Sequence, residues 1–346
     1  MDFSSDTSAP AHPAVMQAVA AANHGNMASY GDDELTALAR QKVADVFETE
    51  DLDIWLCASG TAANALALSC FCPPTGAVLC HVGAHIAVDE RGAPEFFSGG
   101  GKLQLLGGPF GKIAEPELRA ALERINHDFV HETPAHVLSL TNLTETGCAY
   151  TADEMSLYSK LAHAAGLSVH LDGARLANAL VGRGLSPADM TWRAGVDVLT
   201  LGLTKTGALG CEVIILFGGA RAKYGELKAR AKRAGHMPAK MRFLAAQAVA
   251  LLSDNLWLEL AGQANAAAQD LTNALCGTGG CRLTQPVEGN EVFVDLAHAV
   301  VEKLEAAGVK FYPWTDGSYR FVCAWSTQDR DNEALKSRLK DLKFLL

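Results

Sequence analysis

Between about residues 34 and 235, short runs rich in Val, Ile and Leu alternate with stretches in which apolar residues return every three or four positions. An apolar run of four to eight residues bounded by turn signals reads as a buried strand, whereas the wider spacing lays one apolar stripe along a helix. The candidate strands are Asp53–Cys57, Ala77–His81, Lys102–Leu106, His136–Thr141, Leu167–Asp172, Val196–Gly202 and Glu212–Phe217. Strands this continuously apolar are buried on both faces, so their alternation with helices predicts a mostly parallel sheet covered on each side. One helix is unusually legible. Thr151-Ala-Asp-Glu154 is a capping box, Met155, Tyr158, Leu161, Ala162 and Ala165 recur on one face, and Gly166 is a stop signal.

After about residue 235 the pattern shifts to longer helical segments, Met241–Ser253 and Leu256–Cys276. Strands at Glu291–Asp295, Lys310–Trp314 and Tyr319–Ala324, a helix over Leu296–Ala307 and a last helix from Asp329 follow. The expected fold class is therefore α/β, with a large α/β/α sandwich domain over 1–238, including the N-terminal segment, and a smaller C-terminal α+β domain over 239–346. Pro238 and the glycines from Gly277 to Gly280 are punctuation. No repeat, low-complexity tract or long linker interrupts the chain.

Composition agrees. The 346 residues are 49% hydrophobic and 20% charged, enough for roughly two domains and neither disordered nor fibrous in character. With 29 Lys and Arg against 39 Asp and Glu the net charge is −10, a field that repels phosphate backbones and anionic membrane surfaces. Nucleic acid and membranes are therefore not expected partners. The opening residues lack the basic start and apolar run of a secretion signal, so the expected location is cytoplasmic. Nine cysteines, an odd number lying mostly in apolar runs, read as buried thiols, and Cys70-x-Cys72 has no second pair at zinc-site spacing, so no metal is expected.

Candidate chemistry sits at strand ends. In the apolar window Val196–Phe217 the charged side chains are Asp197, Lys205 and Glu212, and Lys205 follows a buried strand between Thr204 and Thr206. Ligands bind at such ends in open α/β sheets, and a desolvated amine there can attack a carbonyl carbon; a solvated lysine closing a strand is the plainer alternative. Asp172, leaving the strand that begins at Leu167, is placed to pair with a buried cation such as a protonated cofactor ring nitrogen, or simply to cap the next helix. Arg175 could take a substrate carboxylate by a two-pronged bond, or make a surface pair. Ser59-Gly60-Thr61-Ala-Ala-Asn64 runs from a strand into a helix of small residues, where free amides and the positive dipole end favour phosphate. His85, four residues after His81, lies past a strand end and suits stacking or proton transfer better than a shared zinc site. Gly107-Gly-Pro-Phe-Gly111-Lys112 is one residue short of a P-loop, and no Gly-x-Gly-x-x-Gly turn opens a nicotinamide-binding unit.

Taken together and in this order, these pieces resemble the threonine aldolases, pyridoxal-phosphate enzymes of fold type I, over nearly the whole chain. The resemblance extends to Ser4-Ser5-Asp6-Thr7, Tyr30-Gly31-Asp32-Asp33, Asp89-Glu90-Arg91-Gly92-Ala93-Pro94-Glu95-Phe96, His170-Leu171-Asp172-Gly173-Ala174-Arg175, Thr204-Lys205, Lys240-Met241-Arg242 and Arg320-Phe321. It implies that Lys205 is the lysine joined to pyridoxal 5'-phosphate, that Asp172 faces the pyridine nitrogen and that His85 stacks over the ring. Ser59, Gly60, Thr61, Thr204, Arg175 and Arg242 would complete the cofactor's surroundings. Ser5, Tyr30, Arg175 and Arg320 would bind the substrate, Ser5 and the two arginines through its carboxylate. Family members are dimers or dimers of dimers with active sites at the subunit boundary, so Lys232 and Arg242 would reach a neighbouring subunit's site. Where some relatives carry a histidine, this chain has Asn142-Leu-Thr144-Glu145-Thr146-Gly147, which leaves the acceptor of the β-hydroxyl proton open.

The implied reaction is a retro-aldol cleavage of L-threonine, L-allo-threonine and related β-hydroxy-α-amino acids. A base removes the β-hydroxyl proton, the Cα–Cβ bond breaks, an aldehyde leaves, and the remainder is protonated to glycine. His85, directly or through a water, is the expected helper in that proton transfer. A β-eliminating lyase, an aminotransferase or a non-catalytic cofactor-binding relative would share Lys205 and Asp172 and differ in products.

Overall fold

The computed structural model describes residues 1–277 and 281–327, together with Asp331 and Ala334. The last helix expected from Asp329 falls, but for those two positions, outside the described residues. Among the described residues seven strands form the large sheet: β1 (Leu52–Cys57), β2 (Ala77–His81), β3 (Lys102–Leu106), β4 (Ala135–Thr141), β5 (Ser168–Gly173), β6 (Val198–Gly202) and β7 (Glu212–Phe217). Every one starts and ends within two residues of the run that predicted it. Their order is β1-β7-β6-β5-β4-β2-β3, with parallel neighbours from β6 to β3 and β7 antiparallel to both β1 and β6.

Burial explains why apolar runs became central strands. Every residue of β6 and β7 is buried, because helices cover both faces. The helix Gly60–Phe71 is buried continuously from Ala62 to Cys70, its small side chains facing sheet and neighbouring helices alike. The helix Ala152–Ala164 has both halves of the expected capping box, Thr151 Oγ1 accepting from the Glu154 amide and Glu154 Oε2 accepting from the Thr151 amide. Met155, Tyr158 and Ala162 are buried beneath it, and Gly166 takes the positive φ of 78° that lets the chain turn away. Seven of the nine cysteines are buried, Cys276 and Cys281 being more open.

The smaller sheet is antiparallel, ordered β10-β11-β9-β8 from β8 (Cys281–Leu283), β9 (Glu291–Leu296), β10 (Tyr312–Pro313) and β11 (Tyr319–Val322). The strand expected over Lys310–Trp314 shrinks to two residues for a physical reason. Pro313 has no N–H for the ladder, and Lys310 bonds instead to the N-terminal segment: its amide donates to Met1 O and its carbonyl accepts from Phe3 N. The β9 strand carries on through Leu296, so the next helix begins at His298 and runs to Ala306. The three-residue β8, with Arg282 in its middle, carried too little apolar pattern to be predicted. Past the expected boundary at 238, the helix Arg242–Leu252 and the first turns of Leu256–Cys276 pack into the core of the large sheet, while the later turns of that long helix pack under the small one. Among the described residues no helix is long and apolar enough to cross a membrane.

Candidate active site

Parallel strands bring their C-terminal ends to one edge, and β7, running the other way, brings its first residue there. Glu212 accordingly pairs in register with Gly202 at the end of β6 and with Cys57 at the end of β1. A cleft opens along this edge. Its walls include Ser59, Gly60 and Thr61 after β1, His85 after β2, Glu145 after β4, Asp172 on β5, and Thr204 and Lys205 after β6.

The helix Gly60–Phe71 begins with Ser59 in extended conformation and with no side-chain cap on its first amides. Nothing lies within 4 Å of where a Cβ on Gly60 would stand. Uncapped amides at the positive end of a buried helix, facing a cleft with room, form a seat for an anion such as phosphate.

Across the cleft, Asp172 is 3% exposed. Its Oδ1 accepts from the Ala174 amide at 3.0 Å and its Oδ2 from Asn64 Nδ2 at 2.9 Å. That same Asn64 nitrogen donates to Glu90 Oε1 at 2.9 Å, and Glu90 Oε1 lies 2.8 Å from His85 Nδ1. One hydrogen-bonded chain thus links His85, Glu90, Asn64 and Asp172. Burial raises the Glu90 carboxyl above the ordinary value, Asp172 adding to the effect against the hydrogen bonds from His85 and Asn64. The hydrogen bond to Glu90 raises His85 in turn, outweighing burial, with Glu145 and Asp172 contributing. A carboxylate on Nδ1 fixes that nitrogen as the proton donor and leaves Nε2 for chemistry.

Lys205 stands on a connection held from several sides. Leu203 O accepts from the amides of Thr206 and Ala208, and Gln247 Oε1 accepts from Leu209 N at 2.9 Å and Gly210 N at 3.1 Å. Beneath the connection the Glu212 carboxylate accepts from Leu203 N at 3.0 Å. Burial pushes the Glu212 carboxyl up to about 7, opposed by hydrogen bonds from Thr204 and Leu203 and by the charge of Lys205.

Of the sequence-predicted residues, Ser59, Gly60, Thr61, His85, Asp172, Thr204 and Lys205 meet in this cleft, and Ser5, Tyr30, Arg175, Arg242 and Arg320 are not among its lining residues. The two-pronged bond expected from Arg175 to a substrate carboxylate is made to Asp6 instead, Nε to Oδ2 at 2.7 Å and NH2 to Oδ1 at 3.0 Å. Asp6 lies in the N-terminal turn, far away in sequence, so spacing alone could not reveal it. Ser5 caps that turn, its Oγ accepting from Thr7 N, and it is Thr7 that reaches the cleft. Arg320 lies over the Trp314 ring, its guanidinium carbon 4.8 Å from the centroid, and 3.9 Å from Glu291. Tyr30 is exposed with Lys232 4.4 Å above its ring, and Arg242 donates to Gly25 O at 3.4 Å.

Asn64, Glu90, Glu145 and Glu212 were given no role from sequence. A signal existed for Glu212, a carboxylate opening the otherwise apolar run Glu212–Phe217. Its meaning depended on the antiparallel direction of β7, which the run does not encode. Together the cleft offers an amine, a buried hydrogen-bonded carboxylate and uncapped helix amides. These match the aldehyde, ring nitrogen and phosphate of the cofactor implied by the resemblance, so the residues fit pyridoxal phosphate.

Comparison with known proteins gives concordant results. A family model described as beta-eliminating lyase matches residues 2–299. The low specificity L-threonine aldolase of Pseudomonas aeruginosa is 39% identical, the match covering 99% of this chain and 97% of that protein. An enzyme of the same description from a Pseudomonas species is 40% identical, over 94% of this chain and 93% of its own. The solved structure of Leishmania major threonine aldolase superposes with a TM-score of 0.91 at 29% identity, covering 99% of both chains. An aspartate aminotransferase from Rhodobacter sphaeroides, at 19% identity and TM-score 0.72 over 100% of this chain and 92% of its own, shares the fold.

Proposed function

Because the chain belongs to the threonine aldolase family within the beta-eliminating lyases, we propose that it is a pyridoxal-phosphate-dependent carbon–carbon lyase that splits L-threonine, L-allo-threonine and related β-hydroxy-α-amino acids into glycine and an aldehyde. The observation that carries this reading is the convergence of Lys205, Asp172, His85 and the uncapped start of the helix Gly60–Phe71 on one cleft.

Pyridoxal phosphate, when bound, supplies an aldehyde that joins amines and a ring that accepts the electron pair of the breaking Cα–Cβ bond. Lys205 is the residue that would hold it covalently, and Gly60 and Thr61 would bind its phosphate through their amides. Asp172 would keep a proton on the ring nitrogen, its own charge steadied by the Asn64 and Ala174 donors. His85, tied by Nδ1 to Glu90, presents Nε2 as the acceptor of the substrate's β-hydroxyl proton. Loss of that proton, as the Cα–Cβ bond breaks, turns the hydroxyl into the carbonyl of the departing aldehyde. Low-dielectric walls and the shared carboxylate chain hold these groups in place before the reaction.

Arg320 and the N-terminal turn are the proposed place of the substrate carboxylate, Arg320 being partly exposed and donating to Ser4 O at 3.5 Å. Lys232 lies over the Tyr30 ring, and neither these two nor Arg242 lines the cleft of its own chain, an arrangement that supports a homodimer or homotetramer in which each site draws on two chains. The test is borohydride reduction of the cofactor-loaded protein followed by peptide mapping and product analysis. Label on Lys205, with glycine and acetaldehyde formed from threonine and a solution mass of two or four chains, is expected. Label elsewhere, or a keto acid and ammonia as products, overturns the reading.

A further inference from the structure

Glu212 is a carboxylate buried at the floor of the cleft, where the register with Gly202 places it directly below the connection that carries Lys205. Burying a carboxylate costs several kcal/mol unless hydrogen bonds and an opposite charge compensate, so its surroundings show what it is for. Its partners all lie on that connection. The Leu203 amide donates to Oε2 at 3.0 Å and the Thr204 hydroxyl donates to the carboxylate. Thr204 Oγ1 in turn accepts from Cys211 N at 3.1 Å, which closes a loop of bonds from one end of the connection to the other. The remaining compensation is the charge of Lys205 itself.

We propose that Glu212 is a positioning residue for Lys205: its carboxylate ties down the turn that presents the lysine and supplies the negative charge against which the lysine-bound cofactor holds its proton. The proposal rests on the aldolase reading above and adds a residue to which that reading assigned nothing. The other titratable groups facing the pair are few. Asp172 approaches from β5 and Asp6 from the N-terminal turn, both acidic, while Cys57 on β1 and Cys211 beside Glu212 are thiols pushed up by burial, Cys57 to about 12. Removing Glu212 therefore removes one negative charge and leaves those of Asp172 and Asp6, with Glu145 also lining the cleft.

The test compares the wild type with Glu212→Gln and Glu212→Asp, each loaded with pyridoxal phosphate, by titrating the visible absorbance of the bound cofactor against pH. Glutamine can still accept from Leu203 N but carries no charge, so the cofactor should load at Lys205 and its spectral midpoint should fall by about one pH unit. In Glu212→Asp the charge is kept but drawn back by one methylene, and the midpoint should fall by a smaller step. Should the glutamine variant fail to fold, the aspartate variant decides alone. A wild-type midpoint in either folded variant overturns the role of Glu212 while leaving the aldolase reading intact. A wild-type protein that forms no borohydride-reducible link at Lys205 overturns both.

Discussion

At the scale of single residues, the chemistry turns on which proton each group holds. His85 sits above its ordinary value because Glu90 accepts from its Nδ1. A base must be neutral to accept the β-hydroxyl proton, so activity rises as pH passes upward through the His85 titration. Glu90→Gln withdraws the charge that favours the imidazolium, and the acid limb of the kcat/KM profile should move to lower pH. His85→Ala should lower kcat by about 100-fold or more with the cofactor still bound, the usual scale of a lost general base. Steady-state pH profiles of both variants provide the check, and an acid limb unmoved in Glu90→Gln would show that some other group sets it. Glu145 also lines the cleft, and its carboxylate adds to the field that favours protonated His85.

At the scale of elements, the site depends on how closely two strand ends approach. A Cβ on Gly202, the last residue of β6, would lie 2.6 Å from the Ala174 Cα. The absence of that atom lets the turn after β5, which follows Asp172 and carries Arg175, rest against the turn that leads to Lys205. Gly202→Ala should force the two turns apart and cost about 1–3 kcal/mol, the range for overpacking a filled core. Because the displaced backbone follows Asp172, the affinity for pyridoxal phosphate should fall along with stability. Urea unfolding and cofactor titration measure the two effects. A loss of stability with unchanged affinity would mean that the strain is absorbed away from Asp172.

At the scale of the whole molecule, a buried ionic group joins three parts of the chain. Asp6 of the N-terminal turn bonds Arg175 after β5, and Glu291 of the small sheet approaches Arg175 at 3.5 Å and Arg320 at 3.9 Å. Asn290 Nδ2 donates both to Asp6 Oδ2 and to Cys323 O. Burial acts to raise the Asp6 carboxyl, but the charges of Arg175 and Lys205 and the bonds from Arg175 and Asn290 outweigh it and hold it below the ordinary 3.8. A carboxyl depressed in the folded state stabilises it above the unfolded value and loses that contribution as pH falls through the folded one. Asp6→Asn leaves Arg175 without its main partner and should cost about 3–5 kcal/mol at pH 7. The gap between variant and wild type in urea midpoint should close as pH drops below about 3.8. A gap that persists in acid would assign the loss to packing.

The sequence by itself determined the strands of the large sheet, the capped helix before β5 and the family, because each is written in neighbouring residues: an apolar run, a spacing of three, a lysine between two threonines. Lys205, Asp172 and the Ser59–Thr61 turn were legible for the same reason, since parallel strands end where ligands bind. Only the tertiary structure decided the rest. That Arg175 spends its two-pronged face on Asp6, that Asn64 bridges Glu90 to Asp172, and that Glu212 arrives under Lys205 are pairings between positions up to 169 residues apart. Local pattern records which face of an element is buried, whereas strand direction and crossover fix which distant side chain it meets there.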